Sequence, residues 1–277
     1  MSELVKRILS GVIFLAVMVA GMIFHPVAFG ALFLFVMYFA MKEFMHITMG
    51  NEWPLQQRLA VIAACLAFIG ISGLLFFKMD ARWIAIALIP FLAIPLSVIF
   101  ARSHEHVEAV ALAYLALVYV GLPFCLAPFI VSGHSGEFEG LALLNVFIII
   151  WCSDVGAYSL GTLLGQRPHS RKLAPAISPK KSYWGLWGGI LCAVLAAWIL
   201  YKAGWMSYDL IHCIALGVII PVAGVCGDLF ESVWKRRFGF KDSGNMIPGH
   251  GGMLDRFDSS LFAIPAVFVY LLLFGLL

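Results

Sequence analysis

The sequence predicts an all-α fold, a polytopic transmembrane helix bundle of about nine spans with two long loops on one side of the membrane. Hydrophobic residues make up 62% of the 277 positions and charged residues only 12%, and the mean hydropathy is +0.98. Apolar runs of about twenty residues, enough for a helix to cross about 30 Å of hydrocarbon, recur along the chain. This composition favours a helix bundle in lipid over a soluble domain.

Each apolar run is interpreted as one membrane-spanning helix. The first run follows Lys6 and Arg7, as in a secretory signal, but it lacks a convincing small-residue cleavage site and a second run follows at once. We therefore expect the first helix to be retained. The nine predicted spans lie near residues 8–24, 27–41, 59–77, 83–100, 108–131, 141–165, 184–201, 210–230 and 259–277.

The distribution of positive charge predicts the orientation in the membrane. If the amino terminus is cytoplasmic, every lysine and arginine except Lys78, Arg82 and Lys202 falls on the cytoplasmic side. Because positively charged loops remain in the cytoplasm, we expect an integral protein of the plasma (inner) membrane with this orientation. An odd number of spans then places Leu277 at the outer face.

The chain divides into two regions of different character. Residues 1–140 have short loops and are interpreted as a transmembrane scaffold of about five helices. Residues 141–277 contain about four helices and the long loops 166–183 and 231–258, and we expect any catalytic residues here. The six cysteines all lie in apolar runs and lack the close pairs of a zinc or redox motif, so they are interpreted as packing residues.

Two acidic residues, Asp154 and Asp228, lie within or at the end of apolar runs. An ionised carboxylate near the bilayer centre costs from about 2.5 kcal/mol upward, so such residues usually face a polar cavity. The alternative is solvation close to the membrane interface. Asp154 is followed by Ala157, Gly161 and Gly165, whose four-residue spacing predicts a flat stripe for close helix packing.

The first long loop reads "GQRPHSRKLAPAISPKKSYWG". Its prolines oppose a continuous helix, and its cations and serines form a surface suited to a polyanion. Lys180 and Lys181 precede a helix expected to open at about Ser182, where free backbone N–H groups also attract phosphate. The pattern favours phosphate binding, and the alternative is charge that only sets topology.

The second long loop begins on the end of a helix and combines glycines with both signs of charge. If that helix continues to Arg237, the side chains of Asp228, Glu231, Ser232 and Lys235 share one face. The stretch "KDSGNMIPGHGGMLDRFDSS" follows. Its glycines permit close approach of backbone to a ligand, and its aspartates are the oxygen ligands that Mg²⁺ prefers. This pattern favours a nucleotide-type site over a glycine-rich turn with solvated charges.

The residues of this second loop resemble a family signature. Residues 232–259, "SVWKRRFGFKDSGNMIPGHGGMLDRFDS", resemble the signature of the integral-membrane phosphatidate cytidylyltransferases, also called CDP-diacylglycerol synthases. The resemblance extends to "GDLFES", "SPKKSYWG" and "SDVGAYSLG", whereas residues 1–140 match only in hydropathy. Trp234, where an aliphatic residue or Phe is more usual, is the one departure.

The resemblance implies an activity, a cofactor and partners. CTP and phosphatidic acid would condense to CDP-diacylglycerol and pyrophosphate by in-line nucleotidyl transfer in phospholipid biosynthesis, assisted by Mg²⁺. A second cation, either divalent or K⁺, is left open. The implied partners are CTP, phosphatidic acid and the lipid bilayer, with no nucleic acid, and the family suggests a homodimer.

Three sets of site residues follow. The expected metal ligands are Asp228 and Asp255, with Asp258 and Asp154 as secondary candidates. The expected catalytic residues are Asp228, Asp255, Lys241, Asp242, His250 and Arg256. The expected substrate-binding residues are Ser178, Lys180, Lys181, Ser232, Lys235, Arg236, Gly251 and Gly252.

Three alternative functions remain open from the sequence. A CTP-dependent polyprenol or phytol kinase would transfer the γ-phosphoryl group to an alcohol. A proton-coupled or ion-coupled transporter could use Asp154 and Asp228, but the sequence shows no convincing pair of matched halves with broken helices. A purely structural assembly protein would not need the aspartate-rich loop.

Overall fold

The computed structural model describes residues 3–101, 107–133, 137–246 and 251–277, and in these ranges helices connected by loops are accompanied by one short β-hairpin. The first half contains α1 (Glu3–Ile23), α2 (Pro26–Met49), α3 (Pro54–Phe77), α4 (Arg82–Ala85), α5 (Leu88–Ala101), α6 (Val107–Ala116), a π-helical turn (Leu117–Gly121) and α7 (Leu122–Val131). The second half contains α8 (Gly140–Leu163), β1 (Lys172–Ala174), β2 (Ser178–Ser182), α9 (Tyr183–Lys202), α10 (Leu210–Arg237), α11 (Leu254–Phe257) and α12 (Ser260–Leu273).

The predicted all-α polytopic bundle is confirmed. Among the described residues, eight helical segments are long and apolar enough to cross a membrane. They include the composite segments 82–100 and 107–131, the second of which contains the π-helical turn. The first predicted span is also helical, and its apolar part, Ile8–Ile23, is shorter than the other eight.

Both predicted regions share one hydrophobic core, because α2 passes between them. On α2, the ring of Phe33 lies 5.9 Å from that of Phe124 in the scaffold region and 6.3 Å from that of Phe147 on α8. About three helical turns further along α2, Phe44 packs edge-on against Trp234 of α10 at 5.8 Å. The second helix of the chain therefore supports the helices that carry the expected site residues.

Small residues bring α8 and α9 together. A Cβ on Gly161 would lie 3.5 Å from the Cα of Gly185, and a Cβ on Gly185 would lie 3.1 Å from the carbonyl oxygen of Ala157. On the same face, the backbone of Gly156 leaves no room for a side chain against Gly188. The predicted small-residue stripe is confirmed at Ala157 and Gly161, whereas Gly165 lies beyond the end of α8. The stripe holds the helix that carries Asp154 against its neighbour.

The two long loops are more structured than a glycine- and proline-rich sequence suggests. The first contains an antiparallel hairpin, in which Lys172 pairs with Ser182 and Ala174 with Ser178. Ser182 then caps α9, because its hydroxyl accepts a hydrogen bond from the N–H of Gly185 at 3.2 Å. The helix start expected at about Ser182 is thus confirmed. The second loop begins after α10 ends at Arg237, later than the predicted boundary at 231.

Candidate active site

A cavity of about 570 Å³ opens between α8, the hairpin, α9 and α10. The polar residues of its wall include Asp154, Gln166, Lys180, Lys181, Ser182, Asp228 and Ser259. The apolar residues of its wall include Ile150, Leu186, Ile220, Pro221 and Val225. The cavity lining is therefore amphipathic, with charges of both signs and hydrocarbon.

A second cavity, of about 650 Å³, lies near the start of α10. It is lined by residues such as Glu139, Asn145, Asp209 and His212 and contains none of the residues predicted for the site. We therefore take the cavity beside the hairpin as the candidate active site, because four of the predicted site residues, Asp154, Lys180, Lys181 and Asp228, line it.

An ion pair links the hairpin to α10 in this cavity. The Nζ of Lys181, delivered by β2, contacts the Oδ2 of Asp228, and the two side chains are 23% and 36% exposed. A half-buried pair open to the cavity can exchange partners with a charged ligand at lower cost than a fully buried pair. The arrangement thus places one movable cation and one carboxylate at the same point.

Asp258 adds a further carboxylate near the same cavity. It lies between α11 and α12, and its Oδ1 accepts a hydrogen bond from the N–H of Ser259 at 2.6 Å. Gly227 of α10 lies directly against the backbone of Asp258, and the electrostatic neighbours of Asp258 include Asp228 and Asp154. Asp154 and Asp228 line the cavity and Asp258 lies near them, and three carboxylates that repel one another would be stabilised by a cation.

The donor set fits a hard divalent cation, because carboxylate oxygens are its preferred ligands. Among the described residues, however, no group of three or more histidine, cysteine, aspartate or glutamate side chains is already arranged around one point. The structure thus supplies side chains of the right type to coordinate the cation. A complete coordination shell would form only together with a bound substrate.

A second ion-pair cluster surrounds Asp255. The Nζ of Lys235 donates to the Oδ1 of Asp255 at 2.7 Å and to the Oε2 of Glu231 at 2.9 Å. All three side chains are buried or nearly so, with exposures of 9%, 11% and 1% for Asp255, Lys235 and Glu231. The Oδ2 of Asp255 accepts two further hydrogen bonds, from the backbone N–H groups of Ser243 and Gly252, each at 2.9 Å.

The shared helix face predicted on α10 is therefore divided between two clusters. Asp228 pairs with Lys181, whereas Glu231 and Lys235 pair with each other and with Asp255. Asp228 and Lys235 are separated by two helical turns, or about 10 Å along the axis, so they do not meet one small ligand. A shared metal site for Asp228 and Asp255 remains a prediction, since each carboxylate has a different cationic partner.

The remaining predicted residues lie around these two clusters. Lys180 is exposed and lines the cavity, and the charge of Arg256 acts on Asp154. Arg236 is exposed and donates to the carbonyl oxygen of Phe240 at 3.2 Å. Four further residues lie near the loops without a described role: Ser178 starts β2, Ser232 is half-buried on α10, and Lys241 and Asp242 are exposed. His250 lies outside the described residues.

The structure explains why the two positions predicted to bind substrate, Gly251 and Gly252, are glycines. Gly251 has a φ of +85°, a conformation that favours glycine, and a Cβ there would lie 2.8 Å from the Oδ2 of Asp255. Gly252 has no room for a Cβ, because the hydroxyl of Ser243 and the carboxylate of Glu43 occupy the space. Both glycines allow the loop to close around carboxylates of this chain.

Glu43 is the site neighbour that sequence reasoning missed. It lies on α2, within the predicted scaffold, and accepts hydrogen bonds from Ser243, Met253 and Leu254 of the signature segment. A signal was present, because Glu43 is the one acidic residue of its apolar helix. The reasoning that selected Asp154 and Asp228 therefore applies to Glu43 as well.

Comparison with known proteins identifies relatives of the chain. A model of the cytidylyltransferase family matches residues 5–274, and so includes the first half, where the motif resemblance ended. Three proteins named phosphatidate cytidylyltransferase are similar. The one from Staphylococcus epidermidis is 37% identical over 163 residues (58% of this chain and 59% of the relative). The Bacillus subtilis protein is 38% identical over 168 residues (61% and 60%), and the Staphylococcus aureus protein is 38% identical over 165 residues (58% and 59%).

These alignments have a limited extent. The aligned part of the chain spans about three fifths of the length of these relatives. The identity therefore supports common ancestry over that part, whereas the family match covers nearly the whole chain.

Proposed function

Because the chain belongs to the cytidylyltransferase family, we propose that it transfers the cytidylyl group of CTP to phosphatidic acid, giving CDP-diacylglycerol and pyrophosphate. The observation that carries this proposal is the amphipathic cavity, in which Lys180, Lys181 and Asp228 share the lining with apolar side chains. A lipid phosphate is itself an apolar body with a charged head, so both parts of such a substrate have a matching surface.

The reaction brings two anions together, with the attacking oxygen, the α-phosphorus and the leaving oxygen in one line. A phosphate oxygen of phosphatidic acid attacks the α-phosphorus of CTP, and the bond from that phosphorus to the bridging oxygen breaks to release pyrophosphate. No protein nucleophile takes part. Catalysis then rests on positioning and on neutralising negative charge, which cations at fixed positions supply.

The residues of the hairpin are suited to hold phosphate. Lys180 and Lys181 lie on β2, directly before the first turn of α9, and helix N-termini favour phosphate. Lys181 is the residue that can neutralise Asp228 on one side and a phosphate on the other. We propose that Lys180 and Lys181 bind the triphosphate or the lipid phosphate, with Arg256 and Lys241 as further cationic contacts.

The family relationship implies a divalent metal, and we propose that this metal is Mg²⁺. Asp228, Asp258 and Asp154 would hold it at the cavity, with Asp255 as the further predicted ligand. When bound, Mg²⁺ would neutralise charge on the phosphates and polarise the phosphoryl oxygens.

The location of the site fits the proposed substrates. Phosphatidic acid is a membrane lipid and CTP is a soluble nucleotide, so the site must be reached from both phases. We propose that the hairpin and the second loop face the cytoplasm at the inner membrane, as the distribution of positive charge predicts. The homodimer suggested by the resemblance remains a prediction.

An assay of the purified protein tests this function. Phosphatidic acid and Mg²⁺ are supplied with each of the four ribonucleoside triphosphates, labelled either at the α- or at the γ-phosphate. We expect label in the lipid from α-labelled CTP alone, and label from γ-labelled CTP in the released pyrophosphate. Transfer of γ-label to an added polyprenol would instead identify a lipid kinase and contradict the proposal.

A further inference from the structure

We infer that Glu43 is a positioning residue that holds together two segments of the second loop. These segments, the loop ends, are Ser243–Met246 and Gly251–Asp255. Glu43 lies on α2, far from them in sequence, and it does not line the candidate cavity. The inference rests on the proposed function only for its catalytic consequence, since the contacts themselves can be measured without substrate.

The carboxylate of Glu43 joins both loop ends directly. Its Oε2 accepts hydrogen bonds from the hydroxyl of Ser243 at 3.0 Å and from the N–H of Leu254 at 2.8 Å. Its Oε1 accepts a third bond, from the N–H of Met253 at 2.9 Å. Hydrogen bonds to an ionised acceptor are about twice as strong as those between neutral groups, so one side chain fixes three donors.

Two glycines of the loop ends make room for this carboxylate. A Cβ on Gly244 would lie 2.6 Å from the Oε1 of Glu43, and a Cβ on Gly252 would collide with the Oε2. Neither glycine has a positive φ, in contrast to Gly251. Gly244 and Gly252 are therefore needed for space, which Glu43 occupies at Gly244 and shares with the hydroxyl of Ser243 at Gly252.

The same loop ends are held from the other side by Asp255. Its Oδ2 accepts from the N–H groups of Ser243 and Gly252, and the hydroxyl of Ser243 accepts from the N–H of Asp255 at 3.2 Å. Through Lys235, Asp255 is joined to α10, the helix that carries Asp228. A continuous set of polar contacts thus runs from α2 to α10.

This arrangement predicts how Glu43 affects the reaction. Met253 and Leu254 lead into α11, which contains Asp255 and Arg256 and ends next to Asp258. Loss of Glu43 would leave these groups present but less well positioned. We therefore expect a lower kcat with little change in the KM for CTP, because no substrate contact is removed.

The test compares Glu43→Gln with Lys42→Gln on the same helix. Lys42 is exposed, with its Nζ 5.5 Å from the ring centre of Tyr38, and is a matched control. In Glu43→Gln we expect kcat to fall at least tenfold and the KM for CTP to change less than about twofold. Backbone amide exchange at Met253 and Leu254 should rise at least tenfold, while Lys42→Gln should match the wild-type protein in all three measurements.

A double-mutant cycle distinguishes the loss of this specific contact from a general loss of folding. Gly244→Ala should lower kcat in the wild-type background but scarcely further in Glu43→Ala, because the space that the methyl group needs is then free. Additive losses, or unchanged amide exchange in Glu43→Gln, would overturn the inference. Wild-type protein without cytidylyl transfer would contradict the proposed function and leave the exchange measurement as the test of Glu43.

Discussion

The Nζ of Lys181 on the hairpin contacts the Oδ2 of Asp228 on α10, so a cation of the first predicted loop meets the carboxylate near the end of an apolar run in one cavity. These two residues lie 47 positions apart in the printed sequence. Lys181 and Asp228 thus give the cavity a cation and a carboxylate, each of which can bind a ligand group of opposite charge.

The first prediction concerns Lys180 and Lys181. Replacing both with Ala should lower kcat/KM for CTP at least tenfold, since hydrogen bonds to charged groups contribute roughly 1.5–3 kcal/mol each. Steady-state kinetics on purified protein measure this effect. Lys202→Ala, at the other end of α9, is the matched control and should leave kcat/KM unchanged. If the double variant kept wild-type efficiency, the pair would act only in setting topology.

The second prediction concerns the two aspartates that were predicted to share a metal. Asp228→Asn and Asp255→Asn should each insert normally and lose at least a hundredfold in activity, if each carboxylate contributes roughly 3 kcal/mol to transition-state stabilisation. Because groups that act as one unit are not additive, the double variant should be scarcely worse than either single variant. Activity is measured over a range of Mg²⁺ concentrations. Additive losses would show that the separate partners of Asp228 and Asp255 reflect separate roles.

The third prediction concerns membrane orientation. A reporter fused after Gly136 should be external, and reporters inserted near Arg171 or Gly239 should be cytoplasmic. The reason is the excess of positive charge on one side of the predicted spans. An external reporter at Arg171 would separate the hairpin from CTP and contradict the proposed reaction.

The fourth prediction concerns the packing of α8 on α9. Gly156→Ala should destabilise the protein by about 1–3 kcal/mol, because the new Cβ would lie 2.6 Å from the Sγ of Cys192 and also meet the backbone of Gly188. Thermal unfolding in detergent measures the change. Gly30→Ala on α2 meets nothing within 4 Å and should be neutral or stabilising, because alanine favours a helix over glycine. Equal stability of the two variants would contradict close packing at Gly156.

The helix bundle could be predicted because hydropathy is a local property of the sequence. Long apolar runs specify spanning helices with little dependence on tertiary context. The small-residue stripe at Ala157 and Gly161 could also be read from its spacing. The hairpin could not, since β1 and β2 are only three and five residues long and carry charged residues instead of an alternating apolar pattern.

The site could be predicted in part, because most of its residues cluster in two segments. The contacts of Glu43 with Ser243 and Leu254 cross 200 and 211 positions, and no local pattern encodes a contact between such distant segments. The separation of Asp228 from Lys235 was missed for another reason. A shared helix face indicates direction, whereas two turns of helical rise decide whether the side chains meet.

The central claim is that the chain makes CDP-diacylglycerol at the cavity containing Asp228. The most direct measurement follows α-labelled CTP into lipid with phosphatidic acid and Mg²⁺, for the wild-type protein, Asp228→Asn and Asp209→Asn. Asp209 precedes the other end of α10, so this variant makes the same substitution away from the cavity. We predict labelled CDP-diacylglycerol from the wild-type protein and Asp209→Asn, and at least a hundredfold less from Asp228→Asn. Absence of labelled lipid from the wild-type protein, or full activity of Asp228→Asn, would contradict the claim.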